Sequence, residues 1–293
     1  MNGSWARALE EVWAVLGWAP PTSTTVLAAS EVRAVVVADR PGEGRFLVKV
    51  TTAERARVLE TSAHAQRVAG AAGVPVAVGL LAGRTPGGFA YLVHERVDGV
   101  PWSTVRTTLD RRATRTAHEE IAQAVVALQS VTPDGLGSLL PAKGRAADVV
   151  SALVERAWLR IGDDRRRAHF LGVLDAEAGL FPASVPVVTH DDLHQDNLLF
   201  AQHERGWRLA AVLDWDKAWA GPAESDVARM AFWDGMTSES FWAVYQSRVP
   251  EVDGWERRAL VHQLLWCLEY EPGTRRHARD TERVCEALGV PVP

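Results

Sequence analysis

Lysine is nearly absent from this chain: of its 32 basic residues 29 are Arg and only 3 are Lys. That scarcity singles out any lysine set among apolar neighbours. Cysteine is rarer still, with Cys267 and Cys285 alone. Two cysteines exclude a disulfide framework and a cysteine-rich metal cluster, and fit a reducing compartment. No stretch reaches the roughly 18–20 consecutive apolar residues of a membrane-spanning helix. Residues 1–20 are amphipathic, carry Glu10 and Glu11, and lack the basic start and small-residue cleavage site of a secretory signal. A cytoplasmic protein without membrane contact is expected. The phosphate-loop patterns GxxxxGK[ST] and GxGxxG are missing, which excludes a P-loop enzyme. A net charge of −5 argues against a nucleic-acid partner.

The charge is uneven. Residues 1–97 hold 10 basic and 8 acidic residues, and residues 98–293 hold 22 and 29. A near-neutral first part and an acidic second part suit a nucleotide lobe joined to a lobe that attracts a cationic substrate. The 293 residues, 47% hydrophobic, are enough for one large domain or two lobes. Residues 5–18 read as an amphipathic helix with Trp5, Leu9, Val12 and Leu16 on one side. Leu27–Val37 and Arg45–Thr51 read as strands, residues 52–72 as a helix stopped at Gly73, and Val76–Ala82 and Phe89–Arg96 as strands. The polar, Gly- and Pro-containing segment 97–102 is a plausible lobe boundary. Helices are expected over 114–130, much of 145–180, 224–249, 255–272 and 276–288.

The most informative stretch is Val187–Phe200, VVTHDDLHQDNLLF, followed by Val212–Asp216, VLDWD. Apolar runs enter and leave a polar turn that carries His190, Asp192, His194 and Asn197, and Asp214 ends its own apolar run. The pattern suggests two hairpin-like strands presenting polar side chains from their connecting loops. An Asp and an Asn five residues apart, with a further Asp beyond the next strand, is the set that phosphoryl transfer needs. One carboxylate orients the hydroxyl nucleophile, while an amide oxygen and the other carboxylate hold Mg²⁺ against nucleotide phosphates. Two His and two Asp within five residues also raise a metallohydrolase, but no further His- or Cys-rich motif completes one. Lys49 interrupts the apolar strand Phe46–Val50, where an ammonium needs a partner. Its alternative role is that of an edge-strand lysine.

His190-Asp191-Asp192-Leu193-His194-Gln195-Asp196-Asn197, then Leu213-Asp214-Trp215, resembles the catalytic and metal motifs of the aminoglycoside phosphotransferase family, with Asp191 and Asp196 standing where that family usually has Gly. The resemblance implies an α+β, bilobal protein-kinase-like fold. A small antiparallel-sheet lobe, residues 1–97, would bind nucleotide, and a mainly helical lobe, residues 98–293, would carry catalysis and substrate. It implies ATP, with GTP as the alternative donor, and Mg²⁺. Asp192 would be the catalytic carboxylate with His190 bracing its loop, and Asn197 and Asp214 would be the metal ligands. Lys49 would meet the phosphates and pair with a helix carboxylate, Glu60 in preference to Glu54. Ser30 would lie in the phosphate-covering hairpin, and His94, Glu95, Arg96 and Val97 would form the segment that reads the purine edge. The family commonly has a carboxylate near Asp216 and an Asp-x-Ala helix start like Asp226-Val227-Ala228.

Asp191, Asp216 and Glu269 are the expected contacts for substrate amines, with Asp234, Glu239 and Glu271 as further acidic candidates and the many tryptophans as aromatic walls. The resemblance points to O-phosphorylation of a cationic antibiotic, an aminoglycoside or a basic cyclic peptide, by a monomer or weak homodimer. The alternatives are a metabolic kinase of the choline, homoserine or sugar type, and a catalytically silent kinase-like binding module.

Overall fold

A computed structural model describes residues 3–141, 145–204, 206–270 and 274–293. Helix α1 (Gly3–Leu16) is followed by strands β1 (Ser23–Ala29), β2 (Arg33–Arg40) and β3 (Gly44–Thr51), helix α2 (Ala56–Ala71), and strands β4 (Leu81–Arg84) and β5 (Ala90–Glu95). The strands form one antiparallel sheet in the order β1-β2-β3-β5-β4. Alternation along the strands gives the sheet two different faces. Ala34, Val36, Phe46, Val48, Val50, Tyr91 and Val93 pack against Trp5, Leu9, Val12 and Trp13 of α1. Burying a Leu or Val of this kind contributes about 1.5–3 kcal/mol. Val35, Leu47, Lys49, Leu92 and His94 belong to the opposite face and line a cleft.

The larger part contains β6 (Val100–Pro101), α3 (Trp102–Val105), α4 (Arg111–Gln129), α5 (Val149–Arg160), α6 (Asp164–Glu177), β7 (Val187–Thr189), β8 (Leu198–His203), β9 (Gly206–Val212), β10 (Trp219–Gly221), α7 (Glu224–Phe232), α8 (Glu239–Gln246), α9 (Trp255–Glu269) and α10 (Arg275–Leu288). Several helix starts are set by sequence chemistry. The side chains of Asp110, Asp148, Asp163, Ser238 and Thr274 each accept a backbone N–H from the first turn that follows, satisfying a donor the helix cannot. The two parts touch through α2 and the turn Trp215–Lys217, and through a hydrogen bond from Val212 N to Pro75 O of 2.8 Å. Among the described residues no helix is long and apolar enough to cross a membrane.

Four expected elements differ. Leu27–Val37 is not one strand but a hairpin. Ser30 Oγ accepts the N–H groups of Val32 and Arg33 and turns the chain, and the apolar residues of β1 are exposed rather than inward-facing. The stretch 145–180 starts its helix at Val149 and breaks at Ile161–Asp163. The stretch 224–249 breaks where Trp233 turns extended and Gly235 takes φ +74°. Strand β4 is limited to Leu81–Arg84 within and just beyond Val76–Ala82. The end of the expected helix 255–272 runs into residues outside those described.

Candidate active site

The segment His190–Asn197 links β7 to β8, and Asp214 follows β9. The strands do not pair as one expects from two simple hairpins: β7 pairs with β10, while β8 lies between β6 and β9. A buried carboxylate holds the loop's shape. Asp226 in α7 accepts the backbone N–H of His190 at 3.0 Å and that of Asp191 at 2.6 Å. Burial pushes its pKa up to about 7, against the pull of those hydrogen bonds and of Arg229. His190 is fully buried. Its Nε2 donates to Leu213 O at 2.8 Å, its Nδ1 accepts from Asp192 N at 3.2 Å, and its ring packs on Trp215. Burial drives its pKa down to about 4. A neutral imidazole with both nitrogens engaged by backbone groups braces the loop rather than transferring protons. Asn197 Nδ2 donates to the backbone carbonyl of Asp192 at 2.9 Å, leaving its side-chain oxygen for a cation.

Asp192 Oδ1 is paired with Arg229 Nη2, and Lys217 Nζ lies 3.6 Å away. Arg229 also donates to Asp191 O at 2.6 Å. The carboxylate borders a cavity of about 370 Å³ with His194, Trp233, Trp266, Tyr270 and Arg276. Behind it, between sheet and loop, a second cavity of about 250 Å³ is lined by Lys49, Arg33, Leu92, His94, Asn197, Asp214 and Trp215. There Lys49 Nζ meets Asp214 Oδ1 at 2.6 Å and Asp216 Oδ1 at 2.9 Å. Burial works against the ammonium, but Asp216 and Asp214 outweigh it and its pKa is raised. Burial likewise opposes ionisation of Asp214, and Lys49 more than reverses this, so its pKa is lowered. Asp216 is more buried and sits beside Asp214, and its pKa is raised. Asp214 takes a left-handed backbone, φ +61°, which Asp tolerates better than most residues.

The structure brings together Asp192, Asn197, Asp214, Lys49 and Asp216, and sets His190 beneath them. Other expected residues stand elsewhere. Glu60 does not reach Lys49: its carboxylate takes Arg84 at 2.6 Å near the surface. Helix α2 turns Ser62 and Gln66 to the cleft, and a position two residues from Ser62 lies about 200° round the helix. Glu54 is exposed in a short turn before α2. Asp216 supplies the carboxylate that Glu60 was expected to supply. Ser30 spends its hydroxyl on the hairpin turn, and Arg33, beyond it, lines the cavity with Leu27, Ala28 and Val35 of the same hairpin and reaches Asp216 at 3.0 Å.

Of the segment expected to read a purine, only His94 lines the cleft. Glu95 and Arg96 commit their N–H groups to Val78 and Arg45, so those two donors are not free, and Val97 does not line the cleft. The three carboxylates expected to hold substrate amines are all engaged by the protein. Asp191 is buried against Arg156, Asp216 against Lys49 and Arg33, and Glu269 against Arg160 and Lys217, both at 3.0 Å. Burial raises the pKa of Glu269, but Lys217 and Arg160 hold it down at about 2. Asp234 and Glu239 are exposed, and Glu271 lies outside the described residues.

Sequence reasoning missed four cations: Arg33, Arg156, Lys217 and Arg229. Lys217 carried a signal, being one of three lysines; the arginines, among 29, carried none.

Residues 24–261 match the model of the phosphotransferase enzyme family. The chain belongs to that family. No curated sequence matches it. Solved structures share its fold at low identity. A candidate fructosamine-3-kinase from Haemophilus somnus 129PT has TM-score 0.68 at 13% identity, covering 96% of this chain and 97% of the other. The aminoglycoside phosphotransferase APH(4)-Ia in complex with AMP-PNP and hygromycin B has TM-score 0.65 at 19% identity, covering 95% and 97%. ADP-bound APH(2'')-Ib has TM-score 0.63 at 15% identity, covering 97% and 99%. The fold is thus the bilobal, protein-kinase-like one of these phosphotransferases. The phosphotransferase family needs a divalent cation to bridge phosphates. The oxygens of Asn197 and Asp214, on the wall of one cavity beside an ammonium, make a hard-donor set that fits Mg²⁺ completed by water and phosphate oxygens.

Proposed function

We propose that this phosphotransferase moves the γ-phosphoryl group of ATP, with Mg²⁺, to a hydroxyl of a small molecule. One observation carries the reading: Asn197 joins the two cavities, its amide nitrogen fixing the backbone of Asp192 while its side chain shares a wall with Lys49 and Asp214. Nucleotide binds under the sheet, in the lobe of residues 1–97, and the acceptor enters from the lobe of residues 98–293. Lys49 would leave its carboxylates for the phosphates, and Asp214 with Asn197 would hold the metal, whose chemistry there would be to neutralise charge on the phosphate oxygens. Asp192 accepts a hydrogen bond from the acceptor hydroxyl and aligns its oxygen for in-line attack. Arg229 keeps the Asp192 carboxylate in place, and His190 keeps its backbone in place.

A cationic antibiotic as acceptor is a second reading, favoured by the excess of acidic over basic residues in 98–293. A silent module is disfavoured because Lys49, Asp192, Asn197 and Asp214 are all present and assembled. The test is Mg²⁺-dependent ADP release by the pure protein against aminoglycosides, basic peptide antibiotics and small metabolic alcohols. Turnover should fall at least about 100-fold in Asp192→Ala. ADP release that ignores both the acceptor and this substitution would refute the reading.

A further inference from the structure

Among the described residues, the carboxylates and aromatic faces around the acceptor cavity are already engaged by the protein's own cations. A cationic ligand is held by an unpaired carboxylate or an open aromatic face, and here the protein's own cations use both. Asp192 is paired with Arg229 and approached by Lys217, Glu269 is held by Arg160 and Lys217, and Asp280 has Arg276 at 3.6 Å and Arg283 at 3.8 Å. On the aromatic walls, Lys217 Nζ lies 4.5 Å from the Tyr270 ring centre, Arg276 Cζ 4.8 Å from that of Trp233, and Arg229 Cζ 5.3 Å from that of Trp266. Among the described residues, each carboxylate of this network is thus shared by two of the protein's cations, and Arg229 and Arg276 are the guanidinium groups on the cavity wall itself. The N–H donors Trp233 Nε1 and Arg229 Nε have no acceptor there.

We infer that the acceptor is a hydroxylated carboxylate, its anionic group bound by Arg276. This inference rests on the proposed phosphotransfer and names its substrate class. Arg276 stands in the first turn of α10 with its side chain half exposed and lining the cavity, and at 3.6 Å its pairing with Asp280 is too long for a hydrogen bond. A planar guanidinium matches the two oxygens of a carboxylate. A singly charged carboxylate also suits a site next to a transferring phosphoryl group better than a phosphate ester, which brings about −1.5 to −2. Trp233 and Trp266 pack the carbon skeleton, and the hydroxyl turns to Asp192.

The experiment first measures binding of a fluorescent ATP analogue to the full-length protein. Failure there strikes the phosphotransferase reading and not the acceptor class alone. ADP release is then compared for glycerate, gluconate and shikimate, the amide of each, glucose, kanamycin and hygromycin B. The expected result is turnover with at least one carboxylate and at least tenfold lower kcat/KM for its amide. Arg276→Gln should raise KM for that carboxylate about tenfold with KM for ATP unchanged, and Arg276→Lys should restore part of the loss. The inference is overturned if a neutral or cationic acceptor is used as well as the carboxylates, or if protein that binds the ATP analogue phosphorylates none of them.

Discussion

Replacing Asp191 by Gly, the residue its family usually has there, should destabilise the protein although it relieves backbone strain. Asp191 has φ +57°, and an L-residue in that region costs about 1–2 kcal/mol, which Gly would largely recover. Its carboxylate, however, is the buried partner of Arg156, whose side chain is only 6% exposed. Burial lowers the pKa of that guanidinium, and Asp191 is the chief group opposing this. Removing one member of a buried pair costs roughly 3–5 kcal/mol, because the other charge is left uncompensated. The net loss in Asp191→Gly is then about 1–4 kcal/mol, read as a lower urea midpoint with unchanged slope. Adding Arg156→Met should recover most of it, since the orphaned charge is gone. A single mutant as stable as the parent would refute this account of why Asp is tolerated beside the catalytic carboxylate.

Other outcomes follow from the same geometry. Lys49→Met should weaken binding of a fluorescent ATP analogue at least tenfold and that of adenosine far less, because the ammonium serves phosphates and not the base. Arg33→Ala should raise KM for ATP several-fold while changing stability by under about 1 kcal/mol, since its pair with Asp216 is half exposed on the arginine side. For His190, a folded pKa of about 4 against an ordinary 6.5 means that the neutral, buried ring contributes stability above pH 6.5 and loses it as pH falls to about 4. That displacement from 6.5 to about 4 corresponds to about 3 kcal/mol. The stability gap between the parent and His190→Asn should therefore narrow by about that amount from pH 7 to pH 4 in denaturant titrations.

The chemical residues were legible because phosphoryl transfer constrains type and spacing together: Asp192 and Asn197 share one loop and Asp214 follows the next hairpin, so their spacing can be read along the chain. Lys49 was legible for a different reason, as an ammonium that an apolar strand does not otherwise tolerate. Pairings across long sequence separations were not. Glu60 and Glu54 suggest themselves as partners for Lys49 because both precede or lie in the next helix, but the helical phase decides which residues face the cleft, and Asp216 arrives there from another element. The acidic excess of the second part pointed to a cationic substrate, yet net charge does not say which carboxylates are already paired. Asp191, Asp216 and Glu269 are, each to an arginine or lysine that the sequence could not assign. Helix breaks at Gly162 and near Gly235 were hidden by apolar periodicity continuing on both sides, and the hairpin at Ser30 by apolar residues on an exposed edge strand.

The central claim is that one cleft holds a metal–nucleotide complex against Lys49, Asn197 and Asp214 while Asp192 faces the acceptor. A crystal structure with Mg²⁺ and a non-hydrolysable ATP analogue tests it most directly. The account predicts phosphate oxygens at Lys49 Nζ, metal density between the Asn197 and Asp214 oxygens, and the γ-phosphate turned toward Asp192. Phosphates lodged away from Lys49, or a metal bound without Asp214, would contradict it.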